Sequence, residues 1–426
     1  MITLRKLNRF SLDTKRLKTD SFYRHALIFT VASLAASGIN YLYYPVMARF
    51  LNVSTYGELQ VITSFILQLT TVYLSLNLIN VNIVANHEEN AATHLMTAIQ
   101  KVIFWLVVVI CVGLAFGSGA LRNYFHFDSV WPFVLIVPIL LIDTVSIFWT
   151  GYLQGHRQFL TLSAYTLTVA LGKIIASVLL VLAGLSVSGG VLGIACGLVL
   201  GLVAVRLCAS RPLPKLLKTL ALPKAVDLVA MRGHLVYIVE VIVGLVSIGI
   251  LLSVDVLLVK HFFSPQFAGE YAGIATVARI IFFASAPLVM VMLPSIKRND
   301  RISSSAAFRR TLGLSLLICA AAMALFILFG RPIITLFMGP RFADFSSWLP
   351  LLSIIVVLAT MTNIVVNYLL ALRSHWAVLI SISSLVSSVS LILWHHASVP
   401  QIVLSASLGL AVGQVIFWVL TLAKAY

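Results

Sequence analysis

The chain has 426 residues, of which 61% are hydrophobic and only 10% charged, with a formal net charge of +16. A soluble protein carries about a quarter of its residues as charges, so a soluble fold is excluded. Apolar runs longer than the ~18 residues that mark a membrane-crossing helix recur along the whole sequence, whereas a β-barrel needs short alternating segments. The positive balance then concerns membrane topology, and no nucleic-acid partner is expected.

Residues 1–25 form a basic segment containing Arg5, Lys6, Arg9, Lys15, Arg16, Lys18 and Arg24. The apolar run that follows, to about Phe50, is too long for the core of a cleaved signal peptide and reads as the first spanning helix. Twelve spans are expected, over 26–50, 59–84, 97–117, 130–152, 160–184, 189–208, 235–259, 271–296, 311–330, 347–372, 377–394 and 401–423. Breakers such as Ser188-Gly189-Gly190, Arg211-Pro212-Leu213-Pro214 and Gly339-Pro340 fall between them. With the N-terminus inside, 22 of the 29 Lys and Arg residues lie on inner segments, 5 on outer segments and 2 within spans. That asymmetry places both termini in the cytoplasm.

Six spans lie on each side of a basic linker, 209–234. The expected architecture is an all-α polytopic membrane protein. It has an N-terminal six-helix bundle (26–208) and a C-terminal six-helix bundle (235–426), as parallel repeats around a central cavity. A repeated connection supports this. Phe50, Gly57 and Glu58 match Phe262, Gly269 and Glu270 at one offset of 212 residues (262 − 50). Phe116-Gly117 and Phe329-Gly330 echo it at 213.

Ionisable side chains within a membrane cost roughly 2.5–3.5 kcal/mol each on insertion scales, so they face a cavity or a partner. Asp143 and Lys173 fall near the middle of consecutive antiparallel spans. They are either a buried ion pair or a cavity cation with a tuning carboxylate. Ser163, Thr166, Ala170, Lys173 and Ser177 share one helix face, which either lines an aqueous path or makes a close helix contact. Arg279 lies deep in the eighth span, with Asp255 in reach. The two are a pair, or Arg279 offers its planar fork to a phosphate. Glu240 is a proton or sodium carboxylate or an interfacial residue. Thr360, Asn363 and Asn367 share a face of the tenth span. With Asn77, Asn80 and Asn82 they suit sugar hydroxyls or join helices. Tyr41, Tyr43, Tyr44 and Trp149 are sugar platforms or an interfacial belt.

Enzyme and cofactor signatures are missing. Gly172-Lys173 lacks the rest of a phosphate-binding loop, and His87-Glu88 is followed by Ala91 where a zinc helix needs histidine. Cys111, Cys196, Cys208 and Cys319 show neither metal nor disulfide spacing. No cofactor, metal or catalytic residue is expected. Energy must come from an ion gradient or from the substrate's own gradient.

The sequence Pro45-Val46-Met47-Ala48-Arg49-Phe50-Leu51, followed by Tyr56-Gly57-Glu58, resembles the opening of Wzx-type polysaccharide flippases of the multidrug/oligosaccharidyl-lipid/polysaccharide exporter superfamily. Val254-Asp255, Ala268-Gly269-Glu270-Tyr271, Leu293-Pro294 and Gly330-Arg331-Pro332-Ile333-Ile334 with Gly339 extend the resemblance into the second half. It implies alternating access that moves an undecaprenyl-diphosphate-linked oligosaccharide between leaflets of the bacterial inner membrane, for exopolysaccharide, O-antigen or capsule export. Polysaccharide polymerase and glycosyltransferases are the implied partners. By the same analogy Lys173 and Arg279 contact the sugar or diphosphate, and Asp255 matches the family's usual acidic position. A departure is that few cations lie deep in this chain. Another is that twelve spans are fewer than the fourteen of lipid II flippases. The competing expectation is an ion-coupled antiporter of small molecules, similar to the multidrug branch of the superfamily. It would want a carboxylate-rich cavity. A sugar polymerase or ligase would want a long external loop, which this chain lacks.

Overall fold

The computed structural model describes residues 28–86, 89–209, 235–296 and 300–423, with the side chains of 74–95, 235, 237, 238, 294, 301 and 423 excepted. The basic segment 1–25 and most of the linker 209–234 lie outside the described residues, as do the side chains of Asn77, Asn80 and Asn82.

A helix lies over each predicted span, and no β-strand occurs among the described residues. In chain order they are α1 (28–50), α2 (Val53–Asn86), α3 (Glu89–Tyr124), α4 (Trp131–Gly155), α5 (Phe159–Leu180) and α6 (Ser186–Cys208), then α7 (Leu235–Leu251), α8 (Val254–Phe262), α9 (Pro265–Met292), α10 (Arg301–Met338), α11 (Leu349–Ala371), α12 (Trp376–Trp394) and α13 (Val399–Ala423). Among the described residues, eight helical stretches are long and apolar enough to cross a membrane, or nine if one bent pair is a single span. One of the eight, Phe159–Cys208, is 50 residues long. It folds back at Gly184, whose φ of 93° is open to glycine and strained for other residues.

The expected span 235–259 is not one straight helix. It breaks at Leu252-Ser253 into α7 and α8, bent by 47°. No proline or glycine marks the break. Ser253 leaves helical geometry (φ −137°, ψ −12°) and its hydroxyl bonds back to the Gly249 carbonyl at 3.1 Å.

The distribution of side chains suits a lipid exterior. Phe116, Trp394 and Leu207 are 88%, 80% and 79% exposed, while Ser177, Ser381 and Ser384 are fully buried. Bulky apolar side chains thus face outward as well as inward, and buried small and hydroxylated residues let helices approach closely, as in a membrane.

Glycines set the closest approaches. α5 and α6 pack antiparallel, with Gly193 against Ser177, Gly197 against Val169 and Lys173, and Gly201 against Val169 and Tyr165. α12 and α13 repeat this, with Gly409 against Ser388 and Gly413 against Ser384. Gly197 and Gly201 are related to Gly409 and Gly413 by the same 212-residue offset. A serine ties each hairpin: Ser177 Oγ donates to Gly190 O (3.0 Å) and Ser388 Oγ to Ala406 O (3.2 Å).

The two repeated connections meet in space. A Cβ on Gly57 would lie 2.8 Å from Gly269 Cα, and one on Gly269 would lie 1.9 Å from the Val53 carbonyl oxygen. Glycine at both positions is what lets α2 and α9 touch backbone to backbone. These residues join the first half of the chain to the second at the end of the molecule that carries both turns.

Candidate functional site

Directly beneath that contact, polar side chains from both halves converge. Tyr56, fully buried one residue before Gly57, donates from its hydroxyl to Thr276 Oγ1 of α9 (3.3 Å) and accepts from Gln60 Nε2. Tyr41 of α1 donates to the Thr276 carbonyl (3.1 Å). The Tyr41 ring meets Tyr44 on its own helix, and Phe283 and Phe337 of the second half, edge-on at 6.3–6.4 Å.

One turn from Thr276, Arg279 occupies the point where α9 loses its regular geometry. Its Nη2 lies 3.7 Å from Asp255 Oδ1, and the other Asp255 oxygen accepts from the Tyr271 hydroxyl at 2.9 Å. Arg279 Nη2 and Asp255 Oδ1 are buried and make no hydrogen bond. The ion pair is therefore long and incompletely satisfied, and Arg279 keeps donors for another acceptor. Its charge acts on the Tyr41, Tyr44 and Tyr56 hydroxyls of the first half. An incompletely paired guanidinium suits a phosphate or diphosphate, through its planar donor fork.

Asp143 and Lys173 do not pair. Lys173 Nζ sits 4.6 Å from the centre of the Tyr43 ring, with the Asn40 carbonyl at 3.5 Å, both on α1. Asp143 is buried on α4, near enough to Tyr73 of α2 and Tyr165 of α5 to act on their hydroxyls. No ion pair reaches it among the described residues. Of the stripe around Lys173, Ser177 and the Lys173 backbone pack against α6, beside Tyr165 and Val169. Lys173 departs from the stripe by extending along the helix surface to α1.

Glu240 bonds to His375 at the start of α12, a partner within the second half. Asn367 Nδ2 donates to both the side-chain and the main-chain oxygen of Asn363 at 2.9 Å, and Thr360 bonds back to Val356 O. That face of α11 thus satisfies much of its own polarity. Tyr43 donates to Gly190 O (3.0 Å) and is buried, so it packs α1 on α6 and offers no platform.

One charged residue escaped the sequence reading. Lys260, assigned to an outer connection, is 1% exposed. Its Nζ lies 3.8 Å from Glu58 Oε1 and 5.3 Å from the centre of the Phe127 ring, both in the first half. The signal was present: Lys260 and Glu58 both flank the repeated connections. No group of three or more His, Cys, Asp or Glu among the described residues is arranged to hold a metal.

Known proteins give the same frame. No curated protein matches by sequence. Among solved structures, the lipid II flippase MurJ in an inward closed conformation superposes with a TM-score of 0.64 at 12% identity, covering 93% of this chain and 87% of that one. An inward-facing multidrug resistance MATE family transporter of the MOP superfamily gives 0.65 at 12% identity, covering 92% and 98%. A eukaryotic MATE transporter gives 0.61 at 13% identity, covering 94% and 96%. The fold is thus shared with a lipid II flippase and with MATE transporters. Residues 22–300 match the family model described as polysaccharide biosynthesis protein. The chain accordingly belongs to the polysaccharide biosynthesis protein family.

Proposed function

We propose that this protein is a flippase that moves a polyprenyl-diphosphate-linked oligosaccharide across the bacterial inner membrane by alternating access. The observation that carries the reading is Arg279. It sits where the two halves meet with its side chain 12% exposed, is incompletely paired with Asp255, and lies near the hydroxyls of Tyr41, Tyr44 and Tyr56 of the opposite half. An anionic diphosphate supplies the acceptor that Arg279 lacks. Sugar rings stack on aromatic faces, and the lipid tail stays in the bilayer between the halves. Twelve spans with both termini cytoplasmic put the repeated turns on the outer side. The contact between the repeated turns then closes the outer side. Export of exopolysaccharide, O-antigen or capsule, beside polymerase and glycosyltransferases, is the setting this implies.

The test is reconstitution in liposomes with a fluorescent undecaprenyl-diphosphate oligosaccharide, followed by access to an external quencher. Wild-type protein is expected to translocate it, and Arg279→Ala to lower the rate at least about tenfold, the cost of losing one charge-assisted contact. Lys173→Ala is expected to have a smaller effect, because Lys173 already has partners on α1. Absence of translocation by the wild type, with gradient-driven efflux of an organic cation, would replace the flippase by the antiporter. Asp143, a buried carboxylate without a cation, is the observation that favours that second reading.

A further inference from the structure

Arg49, next to last in α1, donates from Nη2 to the Leu336 carbonyl (2.6 Å) near the end of α10 in the opposite half. His261, next to last in α8, bonds through Nδ1 to the Tyr124 carbonyl (2.7 Å) at the end of α3 in the opposite half. A carbonyl only accepts, so Nδ1 carries the hydrogen. The 212-residue offset that takes Gly57 to Gly269 also takes Arg49 to His261 and Tyr124 to Leu336. Within α3 and α10 the Phe-Gly echo runs at 213, so the two acceptors correspond to within one residue, and the two bonds are one kind of interaction made twice, on either side of the glycine contact.

The chemistry suits the position. The last carbonyls of a helix have no intrahelical donor and carry the negative end of its dipole. A guanidinium or imidazole N–H from the other half satisfies them. The His261 ring also stacks on Tyr124, with centres 3.8 Å apart and planes within 4°. Lys260, the preceding residue, reaches Glu58 and Phe127 of the same opposing half.

We infer that Arg49 and His261 form a two-fold clasp that holds the repeated-turn end of the transporter shut, with Gly57 and Gly269 as its pivot. The inference rests on the proposed reading for placing this end outside. Each half grips the open end of a helix of the other. Opening breaks both grips and separates the glycines, while Tyr41 and Tyr56 release Thr276. A cross-helix hydrogen bond in a membrane is weak, about three- to tenfold in an equilibrium. Two of them bias the closed state and leave it reversible.

The experiment reads conformation and needs no substrate. The four native cysteines are replaced by alanine and Ser253→Cys is introduced as reporter. Ser253 is 1% exposed and accepts from Gln68 Nε2 across the interface at 3.0 Å. Spheroplasts are treated with a membrane-impermeant maleimide. The parent is expected to label slowly, and Arg49→Ala and His261→Ala each about three- to tenfold faster. The double variant should label faster by about the product of the two. Gly269→Ala, unable to close, should label fastest. Arg49→Gln and His261→Gln keep a shorter donor and are expected to fall between parent and alanine. If all the alanine and glutamine variants label at the parent rate, the clasp is wrong, even should the double variant fail to fold. Loss of translocation in the liposome assay with this labelling pattern intact would overturn the flippase reading alone.

Discussion

At the scale of residues, the informative pair is Arg279 and Asp255. Each desolvates the other's neighbourhood, and their contact at 3.7 Å is loose. Removing one partner of a buried pair strands the other and costs about 3–5 kcal/mol, whereas removing both is far milder. We therefore expect Arg279→Ala and Asp255→Asn to behave differently in a thermal-unfolding assay in detergent. Arg279→Ala leaves a buried carboxylate beside Tyr271 and should lower the midpoint most. The double variant should recover most of that loss while translocation stays at the level of Arg279→Ala. Recovery of translocation together with stability would make the pair purely structural. The Asp255–Arg279 contact was legible in the sequence because both residues sit near one end of adjacent spans. The separation of Asp143 from Lys173 was not. Position along a span gives depth, but the rotation of a helix about its axis is set by packing. Here Gly193, Gly197 and Gly201 seat the Tyr165, Val169 and Ser177 face of α5 on α6, and Lys173 reaches Tyr43.

At the scale of elements, helix pairs joined by glycine and serine do the work that apolar burial does in water. Lipid tails are as apolar as leucine, so only close packing and hydrogen bonds favour α5 on α6 over either on lipid. A Cβ on Gly197 would lie 2.7 Å from the Val169 carbonyl oxygen and 2.8 Å from the Lys173 nitrogen, both backbone atoms that cannot step aside. Gly197→Val should therefore force the hairpin apart, at the ~1–3 kcal/mol typical of overpacking. The expected result is a lower unfolding midpoint and a lower monodisperse yield. Gly113→Ala on α3, with nothing within 4 Å of the new methyl, should match wild type on both counts. Equal behaviour of the two variants would refute the packing argument. The glycine pairs 197/409 and 201/413 share the offset of the repeated turn, so this register could have been read by aligning the halves on it. The 47° bend between α7 and α8 had no such signal, since Leu252-Ser253 contains no helix breaker.

At the scale of the whole molecule, the proposed flippase needs a route by which an ion gradient could bias its two halves. Asp143 sits on α4 beside Tyr73, whose hydroxyl lies 3.1 Å from Leu140 O and 3.0 Å from Thr144 Oγ1. Tyr73 belongs to α2, and α2 also carries Tyr56, Gly57 and Glu58 into the contact with the second half. A continuous helix thus connects a buried carboxylate, without an ion pair among the described residues, to the contact between the repeated turns. A charge confined in a low-dielectric bundle favours whichever arrangement brings it a proton or a cation. If the outer-closed and outer-open states place Asp143 differently, its occupancy biases the two states, and the bias is reciprocal. Asp143→Asn holds the site in its neutral form. The substitution is expected to leave translocation in the absence of a gradient within about threefold of wild type, and to abolish the acceleration given by an imposed proton or sodium gradient, a coupling usually of ~1–3 kcal/mol. Paired rate measurements with and without the gradient decide it. Retained acceleration in the variant would move coupling away from the first half. A variant slowed equally under both conditions would make Asp143 part of the path itself. Because Tyr73 links the site to α2, Tyr73→Phe should weaken the same acceleration without removing it, a graded outcome that a lone titrating group would not give.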